Sequence, residues 1–512
     1  MSRFQEGWRA AGLMLHFSSL PGPYGIGDLG PTAHSFLDFL QKAGIHIWQI
    51  LPVNPTGPPL GNSPYSAYSA FAGNELLVSP ALMVEEGWIS KEEAEKARQP
   101  QSGKVDFAKT IKLKTALLDT AYNRVGFGLL DREDFSKFAW ENGAWLNDYS
   151  FFMTTKADLG GLPWFEWPDG LKYRDDQELG IHGRRLSEAI LRVKFGQFLF
   201  FSQLKRLKDG AARRGISLMG DIAFYVNHDS SDVWANRYLF KLTQEGKAER
   251  VGGVPPDYFA KTGQLWGNPV FDWSANQANN YGWWVSRLRH NLAMFDWVRL
   301  DHFRAFCRYW SVEAGAKTAE MGVWENGPGA SLFEAAGGQL NVVAEDLGII
   351  TPDVTELRKR FDFPGMRVLH FGFGDDQPLS SHCSYRIESD NLVYVGTHDN
   401  NTSRGWFEND IDPKSRQRIS DLVGYKVTAA NVAWTLIRLA YLSTGTISLF
   451  TVPDLLNLGR EGRLNTPGTV GDNWAWRLNS LDSLTPALAA NLSELGSLAG
   501  RDNCRHPNIL HY

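Results

Sequence analysis

Cysteine is scarce in this 512-residue chain: Cys307, Cys383 and Cys504 are odd in number and widely spaced. A disulfide-framed secreted scaffold is thereby excluded, and with no C-x-x-C pair so are zinc-ribbon and dithiol redox centres. A reducing, cytoplasmic setting is expected. No run of 18 apolar residues occurs, so no membrane-spanning helix is expected, and the opening MSRFQEGWRAAGLMLHFSSL lacks a convincing signal-peptide cleavage site. The formal net charge of −5 comes without any block of Lys and Arg, which removes nucleic acid and anionic membrane surfaces as partners. No G-x-G-x-x-G follows a strand-like segment and no G-x-x-x-x-G-K-[ST] exists to cradle a nucleotide. H-E-x-x-H and EF-hand spacings are missing too, so no metal and no organic cofactor is expected.

Aromatic residues are abundant: 19 Trp, 16 Tyr and 30 Phe. Large rings fill cores, but they also stack on the apolar faces of sugars. The remaining pattern repeats an amphipathic helix followed by a solid apolar run. PTAHSFLDFLQKA, with Thr32 as its expected cap, precedes IHIWQILPV, the long stretch from LSEAILRVKF to GAARR precedes GISLMGDIAFYV, and GWWVSRLRHNLAMF precedes DWVRLDHF. Strands buried on both faces lose polar alternation, and helix-then-strand repetition implies parallel strands with helical crossovers. QLNVVAEDLG, GMRVLHFGF, NLVYVGTHDN and TGTISLFTV bring the strand count to seven, with ELLVSP as the eighth. The expected fold is a single elaborated (β/α)8 barrel spanning 1–512, with a mainly helical insertion over about 76–200 and a loop-rich one over about 235–282. Ser90 before KEEAEKARQ predicts a helix cap within the first insertion.

Acidic residues stand at the C-terminal ends of four predicted strands: Asp221, Asp301, Glu345 and Asp399. That end of a barrel is where active sites are built, although a single acid there can equally cap the following helix. A pair of carboxyls suits glycoside chemistry, one attacking the anomeric carbon and the other moving the proton. Arg299 lies two residues before Asp301, on the same face of a strand, where its guanidinium would favour the ionised carboxylate. A purely structural ion pair within the barrel is the competing reading.

The segments VRLDHFRAF, VAEDLGIITPDV and VGTHDNNTSRGW resemble the catalytic core of the amylomaltases, glycoside hydrolase family 77 of the α-amylase superfamily. LPGPYGIGDLG, SPYSAYSAFAGN, GDIAFYVNHDSSDVW, GVPPDYFAKTGQLWGNP, FPGMRVLHF and RLNTPGTVGDNWAWR are similar to that family as well, in the same order between residues 20 and 477. The resemblance implies transfer of α-1,4-glucan segments by a retaining double displacement. It assigns Asp301 as nucleophile, Glu345 as general acid/base and Asp399 as the third acid. Arg299, His302 and His398 become supporting residues, with Asp221 near the barrel top. For a retaining enzyme the two working carboxyls are expected about 5–5.5 Å apart. Tyr65, Tyr258, Trp266 and Phe371 become candidate sugar-stacking surfaces and Asn465 a polar partner, with maltooligosaccharides and other α-1,4-glucans as substrates. A monomer or weak oligomer is expected.

The chain departs from the family pattern at Ala223, Ala305, Glu313 and Ala316, which puts the acceptor side and loop shape in question, not the acids. Two other readings stay open on the residues: an α-glucan hydrolase or phosphorolytic enzyme of the same superfamily, and a glucan-binding protein without activity.

Overall fold

The computed structural model describes residues 8–256, 261–469 and 471–502. In chain order the strands are β1 (Ala10–Met14), β2 (Ile47–Gln49), β3 (Ser217–Ile222), β4 (Arg250–Val254), β5 (Gln264–Pro269), β6 (Trp297–Leu300), β7 (Arg308–Glu313), β8 (Val323–Asn326), β9 (Val342–Ala344), β10 (Gly365–Val368), β11 (Asn391–Tyr394) and β12 (Ile447–Thr451). Eight of them form one parallel sheet in the order β10-β11-β12-β1-β2-β3-β6-β9. The two ends of that order meet where the Ala344 amide donates to the Pro364 carbonyl at 2.8 Å, which makes the sheet a nearly closed barrel.

Seven of the eight barrel strands lie where the apolar runs predict them. The eighth does not. ELLVSP carries a short 3-10 turn, Glu75–Leu77, started by the Asn74 side chain accepting from the Leu76 amide, and the missing strand is Ala10–Met14. Its composition, AAGLM, carries little β propensity, and only pairing on both sides makes it a strand. Gly12 is required there: a Cβ would approach Leu449 to 2.4 Å.

Period-two alternation divides the barrel strands between two cores. Ile47, Met219, Trp297, Val343, Met366, Leu392 and Leu449 belong to the cluster that fills the lower interior. Their neighbours in sequence, such as Trp48, Leu218, Val298 and Phe450, face outward into the much larger cluster beneath the helices. Two residues further along β3 and β6 from Met219 and Trp297, the same inward positions hold Asp221 and Arg299. The interior therefore changes from apolar to ionic at its C-terminal end.

Between Pro80 and Ala212 the described residues form eight α-helices, all before β3. Ser90 forms a capping box with Glu93 at the start of Lys91–Lys96, and the 26-residue helix Ser187–Ala212 ends the segment. The first barrel helix, Pro31–Lys42, starts from Gly30 with Pro31 in its first turn, so Thr32 lies inside the helix and does not cap it. The expected loop-rich insertion contributes β4 and β5 to an antiparallel sheet with order β5-β4-β7-β8, standing above β3 and β6. Among the described residues no helix is long and apolar enough to cross a membrane.

Arg501 ties the end of the described chain to the base of the barrel. Wholly buried, its guanidinium donates to the carbonyls of Ala10 and Thr446 at 3.0 Å, Tyr441 at 2.8 Å and Gly445 at 2.9 Å. Replacing it with Met removes these buried charge-assisted hydrogen bonds, leaving the Tyr441 carbonyl only Arg9 and the Thr446 carbonyl only the Ala10 amide, and is expected to cost about 3 kcal/mol or more, read as a lowered midpoint in urea unfolding.

Candidate active site

The β3–β6 register places Asp221 directly opposite Arg299. One guanidinium nitrogen of Arg299 reaches both Asp221 oxygens, at 3.0 and 2.8 Å, and a second reaches Asp301 at 2.8 Å. The same-face argument for Arg299 and Asp301 is thus met, and the guanidinium is forked between two carboxylates. Asp221 has no exposed side-chain surface, whereas Asp301 keeps 30%. Burial pushes the Asp221 carboxyl up to about 6 against the pull of Arg299, which itself is held well above the ordinary arginine range by the two acids.

β6 stops at Leu300, and Asp301 follows as the first residue past its end. His302 takes a left-handed backbone conformation (φ 51°), which turns the chain across the barrel mouth. That turn aims the His302 amide at a Glu345 carboxylate oxygen, 2.8 Å away. The other Glu345 oxygen accepts from the Leu347 amide at 2.9 Å, and the Glu345 backbone bridges Leu300 and Phe303 at 3.0 and 3.1 Å. Asp301 and Glu345 therefore sit on adjoining strand ends, joined through one residue of backbone. Burial and the nearby Asp301 charge push the Glu345 carboxyl up to about 8, against Arg299 and the two amides. The His302 imidazole is driven by burial down to about 4 and is neutral at pH 7, and its Nε2 has no partner among the described residues. Trp266 of β5 meets this ring edge-on, centroids 5.0 Å apart.

Across the mouth stands Asp399, five residues beyond the end of β11 and not immediately after it. Burial would raise its carboxyl, but His398 at 3.3 Å, the Asn465 amide at 2.6 Å and the Arg299 charge outweigh that and hold it well below the usual carboxylate range. Arg463 donates to the Asp399 carbonyl at 2.9 Å and to the Asn465 carbonyl at 2.7 Å. The Tyr65 ring stacks on His398 with centroids 4.9 Å apart and planes 17° from parallel, while its hydroxyl donates to Asp221 at 2.7 Å.

Asp221, Arg299, Asp301, His302, Glu345, His398 and Asp399 thus converge, together with Tyr65, Trp266 and Asn465. Phe371 does not join them by any described contact: it is 40% exposed at the end of a 3-10 turn, and its ring neighbour is His382. Tyr258 lies outside the described residues. Asn227 and His228 serve structure, His228 Nε2 meeting the Gly246 carbonyl at 2.8 Å and its ring stacking on Phe165. Among the described residues no group of three His, Cys, Asp or Glu is placed to hold a metal ion. Two members escaped the sequence reading. Arg463 and Trp474 both lie in the family-like segment RLNTPGTVGDNWAWR, where only Asn465 is given a role, and Trp474, beside Tyr65 and His398, is one of many tryptophans.

The sequence profile of glycoside hydrolase family 77, described as 4-α-glucanotransferase, matches residues 15–483. The chain belongs to this family. A 4-α-glucanotransferase of Synechocystis is 42% identical over 501 residues, covering 96% of this chain and 98% of its own length. That of Aquifex aeolicus is 43% identical over 474 residues, with 92% and 95% covered. Among solved structures, the amylomaltase of Streptococcus agalactiae in complex with acarbose superposes with a TM-score of 0.91 at 33% identity, covering 96% of this chain and 99% of that one. The amylomaltase of Corynebacterium glutamicum shares the fold, with a TM-score of 0.76 at 18% identity and 95% and 75% covered. The resemblance found in the strand-end motifs and the barrel itself are both borne out for this 4-α-glucanotransferase.

Two outcomes follow from the ionic fork. Asp221→Asn keeps the shape but removes half of the counter-charge on Arg299, so kcat is expected to fall by about 10–100-fold through misplacement of Asp301, with thermal unfolding measured in parallel. A carboxyl raised to about 8 keeps its proton below that pH and loses it above, so the donor-cleaving kcat/KM is expected to decline on the alkaline side through pH near 8. Glu345→Gln should abolish that limb.

Proposed function

We propose that this 4-α-glucanotransferase works by a retaining double displacement in which Asp301 is the nucleophile and Glu345 the general acid and base. The observation that carries the assignment is the contrast between the two carboxyls. Asp301 is ion-paired with Arg299 and accessible, the form that attacks, whereas Glu345 is driven up to about 8 and holds a proton at neutral pH, the form that protonates a leaving oxygen. In the first step an Asp301 oxygen bonds to the anomeric carbon of the donor sugar. The bond from that carbon to the glycosidic oxygen breaks, and the Glu345 proton goes to the departing 4-oxygen. In the second step Glu345, now a carboxylate, takes the proton from an acceptor 4-hydroxyl, whose oxygen displaces Asp301 and restores the α-1,4 link.

Asp399, kept ionised by His398 and Asn465, is suited to hold hydroxyls of the sugar being cleaved and to strengthen that grip as its ring flattens. Tyr65 offers an aromatic face whose tilt is fixed from two sides, by the stacked His398 and by the hydroxyl bond to Asp221. The unpartnered Nε2 of neutral His302 is a further polar group for that sugar, and Trp266 is a surface for the acceptor. The substrates are maltooligosaccharides and longer α-1,4-glucans. The free thiols of Cys307 and Cys383 support a cytoplasmic location.

Maltotriose distinguishes transfer from its alternatives. The expected products are glucose together with a ladder of longer maltooligosaccharides, separated by anion-exchange chromatography, and shortening alone would establish a hydrolase instead. Asp301→Asn is expected to lower the rate by at least about 10³-fold while maltotriose still binds by calorimetry. A variant that kept most of its activity would remove Asp301 from the nucleophile's role.

A further inference from the structure

Trp474 has a backbone that tryptophan rarely adopts. Its φ is 65°, in the left-handed region where a side chain on Cβ crowds the following carbonyl, and the neighbouring turn glycines Gly468 and Gly471 supply positive φ at no such cost. Strain of this kind persists only where surrounding contacts impose it. Here the Trp474 amide donates to the Leu464 carbonyl at 2.7 Å, closing the loop at its base, and Asn473 latches the interior by accepting from the Thr466 amide at 3.0 Å. The same loop carries Asn465 and Arg463, both bonded to Asp399.

Core packing does not account for the ring. Trp474 is half-buried, and among the described residues its aromatic neighbours are Tyr65 at 5.8 Å and His398 at 5.9 Å between centroids. It also borders a small open cleft whose lining includes polar groups, among them His16, Ser18, Asn54, Thr56 and Asn62. The indole thus adjoins both a polar space and the stacked Tyr65–His398 pair. It belongs to neither core cluster. A loop that needed only a tight turn at 474 would be served better by glycine.

We propose that Trp474 is a positioning residue for glucan transfer: its ring braces the Tyr65–His398 stack from the loop side and holds the tilt of that sugar platform. The proposal rests on the reading of Tyr65 and His398 as a sugar-holding pair. It requires no contact between Trp474 and the substrate. The loop's own hydrogen bonds impose the left-handed backbone at 474, and the ring comes to rest beside the pair.

Three variants test this with maltotriose, each measured for kcat, KM and thermal unfolding. Trp474→Gly removes the ring and relaxes the backbone, Trp474→Ala removes the ring and keeps the left-handed burden, and Trp474→Phe keeps an aromatic face. Gly and Ala variants are expected to lose kcat alike, by ten-fold or more, with KM changed less than three-fold, although the Gly variant unfolds at a higher temperature than the Ala variant. Phe is expected to recover at least half of the lost kcat on a logarithmic scale. The proposal is overturned if the Gly variant keeps kcat within two-fold of the parent, if activity follows thermal stability across the three, or if Phe is as impaired as Gly. Failure of the platform reading is told apart by Tyr65→Ala: full activity there removes the platform itself, whatever Trp474 does.

Discussion

The Arg299 guanidinium, buried between Asp221 and Asp301, is the interaction on which the rest of the site depends. A single buried cation facing two carboxylates leaves one net negative charge at the barrel mouth, and the more exposed acid, Asp301, is the one positioned to use it. The same arrangement explains the contrast with Glu345. With the guanidinium's hydrogen bonds directed to the other two acids, Glu345 has only backbone amides as donors, and burial beside Asp301 favours its protonated form. Replacing the fork by well-packed apolar residues is expected to leave the barrel as stable or more so. Its value lies in the protonation states it separates.

Much of this was legible in the sequence because the barrel strands are buried on both faces and so form solid apolar runs. Charges directly after such runs, as in WVRLD and VVAE, have few explanations besides a barrel mouth. β1 was missed for the converse reason: AAGLM is short and small-residued, and its strand character comes from β2 and β12 on either side. ELLVSP was mistaken for a strand because its apolar run of three matches a buried strand as well as a 3-10 turn, and the Asn74 cap decides between them.

The fork itself could not be foreseen, since it depends on the register that sets Asp221 beside Arg299. Sequence spacing yields the pair Arg299 and Asp301 within one strand, but nothing local reports which strand lies alongside. Arg463 and Trp474 illustrate the same limit for loops. Their roles arise from where a segment over sixty residues from Asp399 comes to rest. A left-handed conformation at tryptophan has no sequence signal at all. Phe371 shows the reverse error: a motif aromatic next to the barrel, whose ring the fold sends to His382 instead.

The closing strand pair has a temporal meaning. β1 is laid down first, pairs early with the nearby β2, and then waits for β12, whose residues 447–451 are made more than four hundred positions later. Until then its other edge offers unpaired backbone groups, the condition under which nascent sheets join the wrong partner. Arg501 adds a still later event, reaching back to the Ala10 carbonyl only after β12 has been made. Birth of the barrel therefore waits for β12, and a ribosome that stalls before it releases a chain with its acids encoded and its ring still open.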